Sequence, residues 1–328
     1  MKLLARSRSL LVVSAFAALA VGCSNNTSSN AINTSGAPSI IGGTEVAEGS
    51  TLHKSIVGIY NVTEHALCTG SLLENNIVLT AAHCIGANAQ DHIIIFAADL
   101  EAVFKSQDRN FVLSKVRRGV KTVVNPNWGK KQKGAGAQAW GDTALIKFQG
   151  DVPAGFEPAT LLADNSVLTE GSTITVAGYG VNSDKLIEID KATYPNFKEK
   201  QAKGEVFCEQ SEDGKTEKCY EEQLDGSGIL RTTELVVAGN YNDTEIAFDQ
   251  RNGKASCEGD SGGPAYVKTN QGYQLFGVTS RGTRGCNGYV LYSEITSPKL
   301  MTWLAQAKVE VSQVPAVQDQ NTVAKATK

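Results

Sequence analysis

An excess of charge of either sign is missing from this chain. Its 31 lysines and arginines face 34 aspartates and glutamates, a net charge of −3 over 328 residues. That balance gives no reason to expect nucleic acid as a partner. A membrane-spanning run is missing as well, because the apolar stretch Leu10 to Val21 is too short to cross a bilayer. Histidine is scarce, with four copies, so few side chains are available as a neutral-pH base. The apolar share of 41% is ordinary for a globular protein. The length allows one large all-β domain or two small ones. The local basic run Lys130-Lys131-Gln132-Lys133 abuts Gly134-Ala135-Gly136 and reads as a solvated loop rather than a binding patch.

What is present points to nucleophilic chemistry. The stretch Cys257-Glu258-Gly259-Asp260-Ser261-Gly262-Gly263-Pro264 sets one serine in a glycine-lined turn. A serine hydroxyl attacks only when a base takes its proton and donors stabilise the oxyanion that follows. Glycines let the backbone bend so that N–H groups converge on one point. Alone, the string is equally a glycine-rich loop. Upstream, however, lie Leu79-Thr80-Ala81-Ala82-His83-Cys84 and Gly141-Asp142-Thr143-Ala144-Leu145-Ile146. A base, an orienting carboxylate and a nucleophile thus follow in the order His83, Asp142, Ser261.

In these three motifs the chain resembles the chymotrypsin/trypsin family of serine endopeptidases. The similarity runs from about Ile40 to Lys308. It includes Ile40-Ile41-Gly42-Gly43, Cys68-Thr69-Gly70-Ser71-Leu72-Leu73 and Thr279-Ser280-Arg281-Gly282. The resemblance implies an all-β fold of two six-stranded antiparallel Greek-key barrels, with the active site between them and a C-terminal α-helix. His83 and Asp142 would come from the first barrel and Ser261 from the second. It further implies an oxyanion hole from the N–H groups of Gly259 and Ser261, and peptide or protein substrates. No metal or organic cofactor is implied, and the protein is expected to be a monomer. Cutting before Ile40 would free an α-amino group that inserts beside Asp260. His53, His65 and His92 lack the catalytic context and are expected at the surface or in loops.

The N-terminus reads as a targeting segment over residues 1–22, with Lys2, Arg6 and Arg8 ahead of the apolar run. Leu19-Ala20-Val21-Gly22-Cys23 resembles the signal of bacterial lipoproteins, in which the cysteine is lipidated. Ordinary signal cleavage near Cys23 is the alternative. Residues 23–39 read as a lipid tether or propeptide, rich in Ser, Asn, Thr, Gly and Ala without apolar periodicity. The expected location is the bacterial envelope or the exterior, with membrane contact only through a lipid on Cys23. Lipidation of Cys23 would leave six of the seven cysteines for an oxidising compartment. By family resemblance Cys68 pairs with Cys84 and Cys257 with Cys286, which leaves Cys208 with Cys219.

From Ile40 onward short β-rich runs recur between turn signals, among them Ser55–Tyr60, Ile77–Thr80, Ile93–Phe96, Thr143–Phe148, Thr173–Tyr179, Leu230–Val237, Leu275–Thr279 and Tyr289–Tyr292. Leu300, Trp303, Leu304 and Ala307 at helical spacing predict a helix over Ser297–Lys308, and 309–328 reads as a disordered tail. A charged insert at about 181–228 departs from the family, and Cys208–Cys219 would staple a hairpin within it.

The resemblance also assigns a specificity pocket. Ala255, six residues before the nucleophile, falls at its floor, where enzymes that select Lys or Arg carry Asp. Ser256 follows in the pocket, Gly282 and Val290 fall on its walls, Glu258 at its rim, and Ser280 to Gly282 on the strand that pairs with substrate. With no charge from Ala255, a buried Lys or Arg would be unpaired, so small or medium uncharged residues are expected before the scissile bond. Glu258 at the rim could attract a basic group, which leaves a preference for Lys or Arg open as the alternative. Arg281 stands where an aromatic residue is usual. Two rival readings use the same scaffold: a catalytically silent binding protein, and an esterase.

Overall fold

The computed structural model describes residues 40–130, 141–211 and 214–313. The targeting segment, the 23–39 segment with Cys23, the loop at 131–136 and residues 314–328 lie outside the described residues.

After β1 (Thr44–Glu45), six strands close a barrel: β2 (Ile56–Asn61), β3 (Ala66–Leu73), β4 (Ile77–Thr80), β5 (His92–Ile95), β6 (Val116–Val124) and β7 (Ala144–Phe148). Their order around the barrel is β2-β3-β4-β7-β6-β5, every pair antiparallel, with β5 returning to β2. The strands are rich in Ile, Val and Leu, and Ile59, Leu72, Ile77, Leu79, Ile94 and Phe148 fill the interior at 0–2% exposure. Two short helices, α1 (Leu100–Lys105) and α2 (Arg109–Lys115), interrupt the run between β5 and β6. Each starts at an aspartate, Asp99 or Asp108, whose carboxylate accepts from backbone N–H groups of the first turn.

The two-residue β8 (Thr160–Leu161) leads to β9 (Thr173–Gly178). The insert then forms its own three-stranded antiparallel sheet in the order β10-β12-β11, from β10 (Ser183–Ile189), β11 (Val206–Gln210) and β12 (Glu217–Asp225). Helix α3 (Phe197–Ala202) covers a small separate core of Phe197, Val206 and Cys219. The second barrel continues with β13 (Arg231–Asn242), β14 (Glu245–Asp249), β15 (Pro264–Thr269), β16 (Gly272–Gly282) and β17 (Tyr289–Glu294). It closes as β9-β13-β14-β17-β16-β15, with β15 returning to β9. Ile174, Val176, Leu235, Ile246, Phe248 and Phe276 form its core. The expected pair of six-stranded antiparallel barrels is therefore observed. β1 adds to β13, and β8 lies parallel to β16.

Helix α4 (Pro298–Ser312) follows the second barrel but packs on the core of the first through Trp303, Leu304, Ala307 and Val311. Pro298 sits at the first helical position, where its missing N–H costs nothing. The helix outruns the expected end at Lys308 by four residues, and the tail boundary at 309 is corrected accordingly. Val311, wholly buried one turn beyond Ala307, supplies the reason. All three expected disulfides are present: Cys68–Cys84, Cys208–Cys219 and Cys257–Cys286. The second joins β11 to β12, where the two cysteines face each other in register.

Two of the histidines expected at the surface or in loops are buried. His53 is 2% exposed and His92 fully covered. Each takes a backbone N–H into the ring, His53 Nδ1 from Gly49 and His92 Nε2 from Gly86, and so each closes the loop before it. His65 is exposed and hydrogen-bonded to the Tyr60 hydroxyl at 3.1 Å.

Candidate active site

His83 lies in the single turn Ala82–Cys84 directly after β4, and the Cys68–Cys84 bridge ties that turn to β3. Asp142 lies just before β7 and is 1% exposed. Its carboxylate accepts three hydrogen bonds: from His83 N–H at 3.1 Å, His83 Nδ1 at 2.9 Å and Ser280 Oγ at 2.6 Å. A carboxylate bonded to both the backbone and the ring of one histidine fixes that ring's position. Donation from Nδ1 also leaves Nε2 as the acceptor nitrogen. Burial pushes the His83 pKa down. The hydrogen bond to Asp142, the Asp142 charge and the charge of Glu258 outweigh it and hold the imidazole above its ordinary value.

Ser261 precedes β15 in the glycine-lined turn. The first barrel clamps that turn from below. Thr69 N–H on β3 donates to Ser261 O at 2.8 Å, and Thr69 Oγ1 donates to Gly259 O at 2.9 Å. Gly262 has φ +80°, and a Cβ there would stand 2.0 Å from Thr80 Oγ1, so no other residue fits where the barrels meet. Within the turn, the N–H groups of Asp260, Gly262 and Gly263 donate to Cys257 O, Thr279 O and Asp260 O. Those of Gly259 and Ser261 find no acceptor among the described residues. Three donors of the turn are thus engaged, two by the turn itself and one by β16, and two are left for a ligand.

His83, Asp142 and Ser261 line one cavity of about 420 Å³, open along one side. Of the residues expected in the specificity pocket, Ser256, Glu258, Ser280, Gly282 and Val290 line it too. Ala255 does not. It is 1% exposed, and its N–H bonds to Ile41 O at 2.9 Å. Ser256 Oγ is held by the Tyr292 hydroxyl at 2.5 Å. The expected activation residues are both buried. Ile40 packs into the second-barrel core. The Asp260 carboxylate accepts from Gly180 N–H at 2.8 Å and Cys257 N–H at 2.9 Å. Gly180 is required there, because a Cβ would meet that carboxylate at 2.5 to 2.7 Å. Burial pushes the Asp260 carboxyl up to about 7, even though these two N–H groups and the Arg231 charge pull it down.

The sequence reading missed Trp128, Asp184, Glu222 and Arg284 and had no account of Arg281. Trp128 stands beside His83, ring centroids 6.2 Å apart. Asp184 and Glu222 reach the cavity from the insert, and Arg284 lies near them. Arg281 is accounted for by wholly buried Glu245, which takes its guanidinium at 2.6 and 3.2 Å. Only the oddity of Arg281 was visible beforehand, because its partner is 36 residues away. Three groups of metal-ligand type occur among the described residues, at His83, Asp184 and Glu217. Each contains two cysteines already joined in a disulfide, which offers no thiolate to an ion.

A family model described as trypsin matches residues 40–304. The chain is similar to coagulation factor XI of Bos taurus, 25% identical over 253 residues that cover 75% of this chain and 34% of that relative. It therefore spans about a third of the relative's length. With the trypsin model covering both barrels and all three cleft residues, the chain belongs to the trypsin family of serine-type peptidases.

Proposed function

We propose that this chain is a serine endopeptidase acting through an acyl-enzyme on Ser261. One observation carries the reading: buried Asp142 grips His83 with two hydrogen bonds in the cavity that Ser261 also lines. In this mechanism His83 Nε2 takes the Ser261 proton as Oγ attacks the peptide carbonyl. The free N–H groups of Gly259 and Ser261 receive the oxyanion. His83 then returns the proton to the leaving amine, and a water repeats the cycle on the ester. Asp142 orients the ring and stabilises the imidazolium, while Ser280 holds Asp142.

The proposal includes a zymogen cut before Ile40. Asp260 is a buried carboxylate with no cation in ion-pair reach among the described residues, and a new ammonium on Ile40 is the kind of partner it lacks. The chain beside Ile40 already docks on the loop before Asp260, through Ile41 O and Ala255 N. The segment ahead of Ile40 is proposed to be an export signal and tether, with Cys23 its lipid attachment point. No cysteine lies in residues 24–39 to hold the pieces together, so the cut would release a soluble enzyme.

A fluorophosphonate probe with N-terminal sequencing of the labelled species tests both parts. Labelling is expected on Ser261, in a species that begins at Ile40 and has left the membrane fraction. A labelled species that begins upstream of Ile40 would remove the zymogen step. A cut protein that takes no label would remove the peptidase reading.

A further inference from the structure

Three carboxylates crowd one end of the cavity. Asp184 and Glu222 come from insert strands β10 and β12, and Glu258 from the turn before the nucleophile. Glu222 is 12% exposed, and its nearest cation, Arg284, stands at 3.4 Å from Nε to Oε2. Arg284 also lies over the Phe207 ring at 4.0 Å. Arg281, the other guanidinium on the cavity, is held by Glu245. Among the described residues, three acids therefore share one guanidinium. Asp184 Oδ1 is buried and lacks a donor of good geometry among the described residues. Burial and the Glu258 charge raise the Asp184 carboxyl, against the Gly285 N–H and Arg284. Burial, Asp184 and Glu258 likewise raise Glu222 against Arg284. Holding like charges together costs free energy that an incoming cation would recover.

Away from the insert, the described residues of the cavity offer a cation no carboxylate that is not already hydrogen-bonded. Val290 is 2% exposed, and its Cβ stands 3.6 Å from where a Cβ on Gly282 would be, so the walls are close. Ala255 has no charge, and the Ser256 hydroxyl is engaged by Tyr292. Among the described residues, a long basic side chain entering beside Ser261 meets its counter-charge toward the insert and Glu258.

We propose that the insert is a specificity element: Asp184 and Glu222, with Glu258, hold the ammonium or guanidinium of a lysine or arginine immediately before the scissile bond. This assignment rests on the peptidase reading. It reverses the uncharged preference expected from Ala255 alone, because Asp184 and Glu222 come from strands far from that position in the chain and add to Glu258 at the rim. Enzymes with a charged pocket floor receive a cation at its base, whereas here it would be received at the mouth.

The test compares kcat/KM on four peptides that differ only before the cut, with Arg, Lys, citrulline or Ala. Citrulline keeps the shape of arginine without its charge. Arg is expected to exceed citrulline by about ten-fold or more at low salt and to lose part of that margin in high salt. In the double variant Asp184→Asn/Glu222→Gln, kcat/KM on Arg should fall about ten-fold further than on Ala. Equal treatment of Arg and citrulline, or an equal fall on Arg and Ala in the variant, overturns the proposal. Calorimetry of n-butylguanidinium on the Ser261→Ala protein reads the same carboxylates without turnover. Binding there that the double variant does not weaken also overturns it. Fluorophosphonate labelling separates the two failures: a labelled enzyme without Arg preference sinks this inference alone, whereas an unlabelled one sinks the peptidase reading.

Discussion

Two sets of acids, the first buried and the second running from half-buried Asp184 and Glu222 to exposed Glu258, share one cleft and are wired in opposite ways. At the barrel side, Asp142 accepts from His83 N–H, His83 Nδ1 and Ser280 Oγ. At the insert side, Asp184, Glu222 and Glu258 share a single guanidinium. A carboxylate with three donors in place gains nothing from a ligand and is fitted to hold another group still. Carboxylates short of donors are fitted to bind what brings donors. The same side-chain chemistry therefore serves orientation in one place and recognition in the other. The count of local partners decides which.

The sharpest way to break this comparison is to disarm the satisfied side. Asp142→Asn should lower kcat about 10⁴-fold on charged and uncharged substrates alike, with the Arg preference intact. The amide presents a donor to His83 Nδ1, so the ring loses the tautomer that accepts from Ser261. Steady-state kinetics on the Arg and Ala peptides would read the effect. A loss confined to one peptide would mean that Asp142 acts in recognition and that the two sides are not separate.

The complementary change removes the other side. The ends of the insert are already joined, with Asn182 N–H donating to Asp225 O at 2.8 Å. Its core of Phe197, Val206 and Cys219 is distinct from both barrel cores. Closing a short loop between adjacent ends costs little. Replacing 183–225 by a short linker should keep the fold and the labelling of Ser261. The Arg-over-citrulline margin should shrink about ten-fold, to near unity. Circular dichroism with peptide kinetics would report both. A deletion that unfolds the barrels would show the insert to be part of their core.

Legibility followed the same division. The catalytic side was readable because the chemistry requires particular residues in short local strings: Ala82-His83-Cys84, Gly141-Asp142 and Gly259-Asp260-Ser261. The eight β-rich runs were readable for a similar reason, since each is a β-branched stretch between turns. Strands such as β6 and β14 stand out less, because Arg117, Arg118 and Lys121 or Glu245 interrupt their apolar pattern. Those polar groups are satisfied only in three dimensions, as Glu245 is by Arg281. The insert's acids could not be read at all. Nothing near Asp184 marks it as facing Glu258, which is 74 residues later in the chain. The buried histidines failed likewise, because burial of His92 depends on a loop that closes around it.

The smallest expected effect concerns the group that belongs to both sides. Glu258 stands with the insert acids, and its charge also helps to raise the His83 pKa. Hydrolysis needs His83 neutral, so a raised pKa places the acid limb of kcat/KM at higher pH than an ordinary imidazole would give. Glu258→Gln removes one of the raising charges while leaving burial and Asp142 in place. On an Ala peptide its acid limb should therefore move to lower pH, with little change in the plateau. A bound arginine would neutralise Glu258 in the intact enzyme and act in the same direction. The kcat profile, which reports His83 in the enzyme–substrate complex, should then have its acid limb at lower pH with an Arg peptide than with an Ala peptide. In Glu258→Gln that difference should narrow. Profiles of kcat for both peptides and both proteins measure it directly, in a pH range where the insert carboxylates stay ionised. Coincident limbs throughout would mean that the charge on Glu258 does not reach His83 and that the two sides of the cleft act independently.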